Sequence, residues 1–139
     1  MLDQETVLRV TKELELEGIS ATYVAEEDGP EMWTTQLPEP NQNMPAFLFL
    51  SEGNDYFVCF APIPGLRRSL ENLKNEQLRA LLKLNASVRL AKLEYQEDGG
   101  RAFYYAASEC AVDGFTGIKL RKRLEACVAL ARAVSNKVK

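Results

Sequence analysis

Residues 46–61 read AFLFLSEGNDYFVCFA, two apolar, aromatic-rich runs on either side of a polar turn. The central SEGND (51–55) is turn chemistry, and the runs 46–50 and 56–61 are too short to be helices. Successive residues of a strand project to opposite faces, so strands that are apolar at nearly every position are apolar on both faces. Such strands belong in the middle of a sheet, with cover on each side.

Upstream, Asp3 is placed to cap a helix whose Val7, Val10 and Leu14 recur at helical spacing, and Gly18 supplies a left-handed residue to end it. From Ile19 the period becomes two, with Ile19, Ala21, Tyr23 and Ala25 on one face, which predicts a strand. Residues 26–30 (EEDGP) form a turn, and 32–37 reads as a second strand carrying Trp33. The PEPNQN run at 38–43 reads as a surface loop. All six prolines fall between residues 30 and 64, which excludes a long helix from that span.

Downstream of Pro64-Gly65 there is no proline. Asn75 is expected to cap a helix with Leu78, Leu81, Leu82 and Leu84 as its apolar positions, and Asn85 to end it in a left-handed conformation. Residues 88–97 alternate as a strand, Asp98-Gly99-Gly100 is a hairpin signal, and 101–110 is the return strand. A final helix from about Thr116 carries Leu120, Leu124, Cys127, Val128, Ala131, Val134 and Val138 on its buried stripe. Rotated away from that stripe, Ala126, Ala129 and Ala133 beside Leu130 form a second, small-residue face. The fold class is therefore α+β, a single antiparallel sheet with helices on one side, in the order α-β-β-β(-β)-α-β-β-α, with residues 1–139 in one domain.

The chemistry is defined by what is missing. The chain has no histidine, which excludes a Ser-His-Asp triad, a Cys-His pair and any zinc site built on imidazole. It has no Gly-rich phosphate-binding motif, no C-x-x-C and no calcium-loop pattern. Cys59, Cys110 and Cys127 are odd in number and sit among apolar neighbours, so they read as reduced core residues. No catalytic residue, cofactor or metal is expected. Charge is unevenly spread: residues 1–65 carry twelve acids against Arg9 and Lys12, whereas 116–139 carry seven bases against Glu125. The run Lys119-Leu120-Arg121-Lys122-Arg123 stands at a helix start, where the dipole disfavours cations. It is expected to answer the acidic first half, through Lys122 and Arg123. With a net charge of −3, nucleic-acid binding is not expected. No apolar stretch approaches the ~20 residues that span a bilayer, and the N-terminus lacks the pattern of a signal peptide, so a cytoplasmic protein without a membrane partner is expected.

The run Leu81-Leu82-Lys83-Leu84-Asn85, then Leu90-Ala91-Lys92-Leu93-Glu94-Tyr95, Asp98-Gly99 and Phe103-Tyr104-Tyr105, resembles the YbjN-like family, which is similar in fold to type III secretion chaperones. The resemblance extends over nearly the whole chain and implies a helix, three or so strands, a helix, two strands and a helix. It also implies an interaction module, chaperone-like or regulatory, and transfers no active-site residue.

These readings combine into a non-enzymatic protein-protein interaction module acting as a homodimer with an unidentified protein partner. The alternative is a small-ligand-binding or catalytic domain with a pocket between sheet and helices. Helices along one side cannot cover both faces of the central strands, so a second copy is the simplest cover. The related chaperones pair partly through their second helix, which puts Leu78, Leu81 and Leu82 forward as contact residues; Ala126, Ala129 and Ala133 are the other candidate contact.

Overall fold

In the computed structural model of the chain, which describes residues 2–27, 29–39, 42–66 and 70–138, the first helix, α1 (Gln4–Leu16), starts where Asp3 Oδ1 accepts the Thr6 N–H at 2.7 Å. It ends as expected at Gly18, whose φ is +79°, with the Ile19 N–H returning to the Leu14 carbonyl at 2.9 Å. Four strands follow, β1 (Ala21–Ala25), β2 (Glu31–Glu39), β3 (Gln42–Leu50) and β4 (Tyr56–Pro62). A short 3-10 turn (Leu70–Asn72) leads into α2 (Asn75–Ser87), then β5 (Lys92–Asp98), β6 (Arg101–Ala111) and α3 (Gly117–Val138). All neighbours in the six-stranded sheet are antiparallel, in the order β1-β2-β3-β4-β6-β5. The α+β class and the element order follow the sequence reading.

Prolines decide where the sheet's pairing stops. The Ser51 N–H donates to the Tyr56 carbonyl at 2.8 Å, which sets the phase of the β3–β4 ladder. Phe49 opposite Val58 and Phe47 opposite Phe60 are then the pairs that exchange hydrogen bonds. The next such pair would set Pro45 against Pro62, and neither has an N–H to donate. The ladder ends at Phe47, and β3 runs on beside β2 alone, through Gln36↔Pro45, Pro38↔Asn43 and Glu39↔Gln42. The 38–43 stretch is therefore mostly paired strand and not the loop its composition predicts; its Pro40 and Asn41 lie outside the described residues. Pro38 and Pro45 sit where their ring nitrogens face a side with no paired strand, so the composition is compatible with strand after all.

Two expected caps are corrected. Lys74, and not Asn75, is the N-cap of α2, and its N–H donates to Gln77 Oε1 at 3.0 Å. Asn85 does not end α2, which continues to Ser87; Asn54, with φ of 60°, is the one left-handed residue other than glycine among the described residues. Asn85 instead ties α2 to the next strand. Its Oδ1 accepts the Leu93 N–H at 2.7 Å, and its carbonyl accepts from Lys92 Nζ at 3.0 Å. The Leu-Asn run and the Ala-Lys-Leu strand are thus linked by structural hydrogen bonds.

The helices share one face of the sheet. Trp33, Leu48, Phe57 and Cys59 point inward from β2, β3 and β4 and are at most 1% exposed. Over them lie Leu120, Leu124, Cys127, Val128, Ala131 and Val134 of α3, all at 0%. The side chain of Val138, the stripe's last expected member, lies outside those described. Leu130 is also buried, so the core-facing stripe of α3 is broader than its spacing predicts. Trp33 is satisfied within the core by donating Nε1–H to Thr11 Oγ1 at 3.0 Å.

The start of α3 is pinned against α1. The Gly117 N–H donates to Glu13 Oε2 at 3.1 Å, placing a carboxylate at the positive end of the helix. Arg121 reaches Glu17 at 3.0 Å and Glu125 at 3.0 Å. The basic run does therefore meet the acidic first half, but through Arg121; Arg123 donates to Ser108 Oγ at 3.3 Å and Lys122 is exposed. A Cβ on Gly117 would lie 2.3 Å from the Glu13 carbonyl oxygen, and backbone cannot yield as a side-chain tip can. Gly117→Ala should separate the two helices and lower stability by ~1–3 kcal/mol, read as a fall in midpoint in chemical denaturation.

Candidate interaction surface

The face of the sheet away from the helices carries an aromatic cluster. Strand alternation places Phe47 and Phe49 of β3, Val58 and Phe60 of β4, and Phe103 and Tyr105 of β6 on that side. Phe60 is the hub. It stacks on Phe47 at 5.0 Å between centroids and 21° between planes, and meets Phe49 edge-on at 5.8 Å and Tyr105 at 6.1 Å. Val24 of β1 and Met32 of β2, which pair across the first hairpin, extend the apolar surface. Phe103 is 48% exposed, and the other rings of the cluster are half-buried by one another; among the described residues no helix packs over them.

Two shallow concavities open on this face and share Phe49 and Phe60. One, of about 480 Å³, is bounded by Leu2, Met32 and the Ser51–Asn54 turn. The other, of about 410 Å³, lies among Val58, Pro62, Phe103 and Tyr105, with Glu94 and Gln96 at its rim. The Tyr105 hydroxyl donates to Glu94, and burial together with that carboxylate raises the phenol's pKa. The second concavity is lined mainly by apolar side chains, whereas the first also has Glu31, Ser51, Glu52 and Asn54 along its lining.

The expected contact residues are placed differently from one another. Leu81 is buried in the chain's own core and Leu78 packs at its margin, which leaves Leu82, 70% exposed, as the accessible leucine of α2. Ala126 and Ala133 are half-buried and Ala129 is exposed. Ala126 and Ala129 border a groove of about 570 Å³ shared with Leu37, Leu90 and Arg121. The outer aromatics were not among the candidate contacts, although the doubly apolar strands pointed to them. The missing signal lay in carrying the same alternation onto Phe103 and Tyr105 of the return strand.

The remaining reactive groups are structural. The three thiols are buried and unpaired with one another, and Cys127 Sγ donates to the Cys59 carbonyl at 3.5 Å. Burial pushes the Cys59 thiol well up and the Cys127 thiol to about 12, against a smaller opposing effect of Arg123 on both. The Tyr23 hydroxyl donates to Glu31 Oε2 at 2.5 Å, and the same oxygen accepts the Leu2 N–H at 2.9 Å. The phenol lowers the carboxyl pKa of Glu31, while burial and then Glu31 push Tyr23 up to about 12. Among the described residues no three His, Cys, Asp or Glu side chains gather as a metal site, and no helix is long and apolar enough to cross a membrane.

Comparison with protein-family models and with curated proteins finds no match. Among solved structures, the chain is similar to an uncharacterized protein from Methanothermobacter thermautotrophicus, at a TM-score of 0.67 and 16% identity over 99% of this chain and 96% of the other. At that identity the likeness is one of fold.

Two measurements check this chemistry. Ellman's reagent should leave the three thiols unreacted in the native protein over minutes and titrate them all once the chain is unfolded. Tyr23 and Tyr104 both have pKa values raised from 10.0 to about 12 in the fold, so the native state holds protons that the unfolded chain releases first. Their contribution is intact below pH 10 and is lost as pH rises from 10 towards 12. The denaturation midpoint should fall across that window, and Tyr23→Phe should flatten part of the fall.

Proposed function

We propose that the chain is a non-enzymatic protein-protein interaction module, chaperone-like or a regulatory adaptor, that works as a homodimer in the cytoplasm. The observation that carries this reading is the uncovered aromatic face around Phe60, on the opposite side of the sheet from a sealed core. Contiguous apolar surface of that kind marks a docking site in soluble proteins. The likeness of the 81–105 region to the YbjN-like family and to type III secretion chaperones favours the same class.

The alternative, a small-ligand domain, needs a pocket between sheet and helices. That layer is filled by side chains such as Trp33, Phe57 and Leu124 at 0% exposure, which weighs against it. The two concavities around Phe60 lie on the other face; the groove of about 570 Å³ beside Ala126 and Ala129 does open on the helix side, but its Arg121 is tied up by Glu17 and Glu125.

Light scattering coupled to size exclusion at micromolar concentration tests the dimer. A mass of twice 15.6 kDa across the peak is expected, and a mass of 15.6 kDa would overturn it.

A further inference from the structure

We propose that the occupant of the open sheet face is the same face of a second copy, so that two sheets stack with Phe60 near the middle of the contact. This rests on the homodimer reading above and assigns the surface that makes it. It also replaces α2 and the alanine face of α3 as the expected contacts.

Width selects the occupant. Apolar side chains on this face run from Val24 on β1 through Met32, Phe47 and Phe60 to Tyr105 on β6, so they occupy five adjacent strands. At ~4.8 Å per strand that is ~20 Å or more across. An α-helix with its side chains is only ~10–12 Å wide and would leave about half of the surface wet. A second sheet matches the width, packs at ~10 Å and interdigitates side chains from both inner faces.

Charge and area point the same way. On this side of β2, β3 and β4 the described side chains are uncharged: Met32, Thr34 and Gln36, Asn43 to Phe49, and Tyr56 to Pro62 at alternate positions. Charges stand on the next two strands, with Arg101 and Glu109 on β6, Glu109 directly opposite Val58, and Lys92, Glu94 and Asp98 on β5. A charge-depleted centre inside a charged rim is the anatomy of a protein interface. Lys92 Nζ is held by the Asn85 and Val88 carbonyls and Glu94 by the Tyr105 hydroxyl, so each of these charges already has a partner within the chain. The five strands, of 5 to 11 residues, present a plan area of ~600 Å², of the order of the ~800 Å² per partner that a stable dimer buries. A two-fold pair closes on itself and leaves no apolar face exposed.

The test is light scattering on surface variants at micromolar concentration, with far-UV circular dichroism to show that each is folded. Phe60→Glu and, separately, Phe103→Glu should halve the mass of the wild type; Phe103 is 48% exposed, so its replacement leaves the core intact. Leu82→Glu on α2 and Ala129→Glu on α3 should leave the dimer mass unchanged. A dimer that survives both sheet-face variants overturns this assignment while the homodimer stands, and loss of the dimer in Leu82→Glu or Ala129→Glu alone places the contact on the helices. A monomeric wild type overturns both readings.

Discussion

The lay of α3 across the sheet governs the rest of the molecule. Six side chains from its buried stripe reach 0% exposure, against inward residues from β2, β3 and β4 that are equally closed. At its first residue the helix meets α1 so closely that only glycine fits, and Glu13 and Glu17 of α1 meet Gly117 and Arg121 of α3. With that crossing fixed, the helical layer closes the middle of one side of the sheet, and among the described residues no helix packs on the other. The aromatic face around Phe60 follows from it.

This division accounts for the contrast between the two sides of the same strands. Phe57 and Cys59 are fully closed, whereas Val58 and Phe60, which alternate with them, are only half-buried. A chain spending large aromatic residues on a solvent-facing side, in cross-strand register as Phe47 and Phe60 are, keeps an apolar surface that water alone does not explain. The thiols are built into the core, and Glu31, at the concavity beside Leu2, is held by the Tyr23 hydroxyl and the Leu2 N–H.

Much of the architecture was legible from residue patterns. Asp3, Gly18, the doubly apolar 46–61 segment and the Asp98-Gly99-Gly100 turn each act through local backbone physics, and local physics can be read in order along the chain. The misreadings arose where distant partners decide. Pro38 and Pro45 look like loop residues until the phase of the ladder shows their nitrogens facing unpaired sides. Asn85 looks like a helix stop until its side chain is seen on Leu93 of β5. Lys122 and Arg123 could not be told from Arg121 without the angle at which α3 meets Glu17. The apolar outer face was foreseeable from Phe47 to Phe60, but its extent onto β6 required the strand order, because β4 neighbours β6 and not β5.

The prolines that end the β3–β4 ladder have a consequence for solubility. Past Phe47 the β2–β3 arm has no flanking strand on either side, and paired strands with open edges are where misassembled fibres recruit new chains. Along this arm Pro38 offers no donor on the β1 side and Pro45 none on the β4 side. An incoming extended segment finds acceptors without a complementary row of N–H groups, and it cannot zip into register. The same residues that unfasten one end of the sheet therefore guard it against runaway growth.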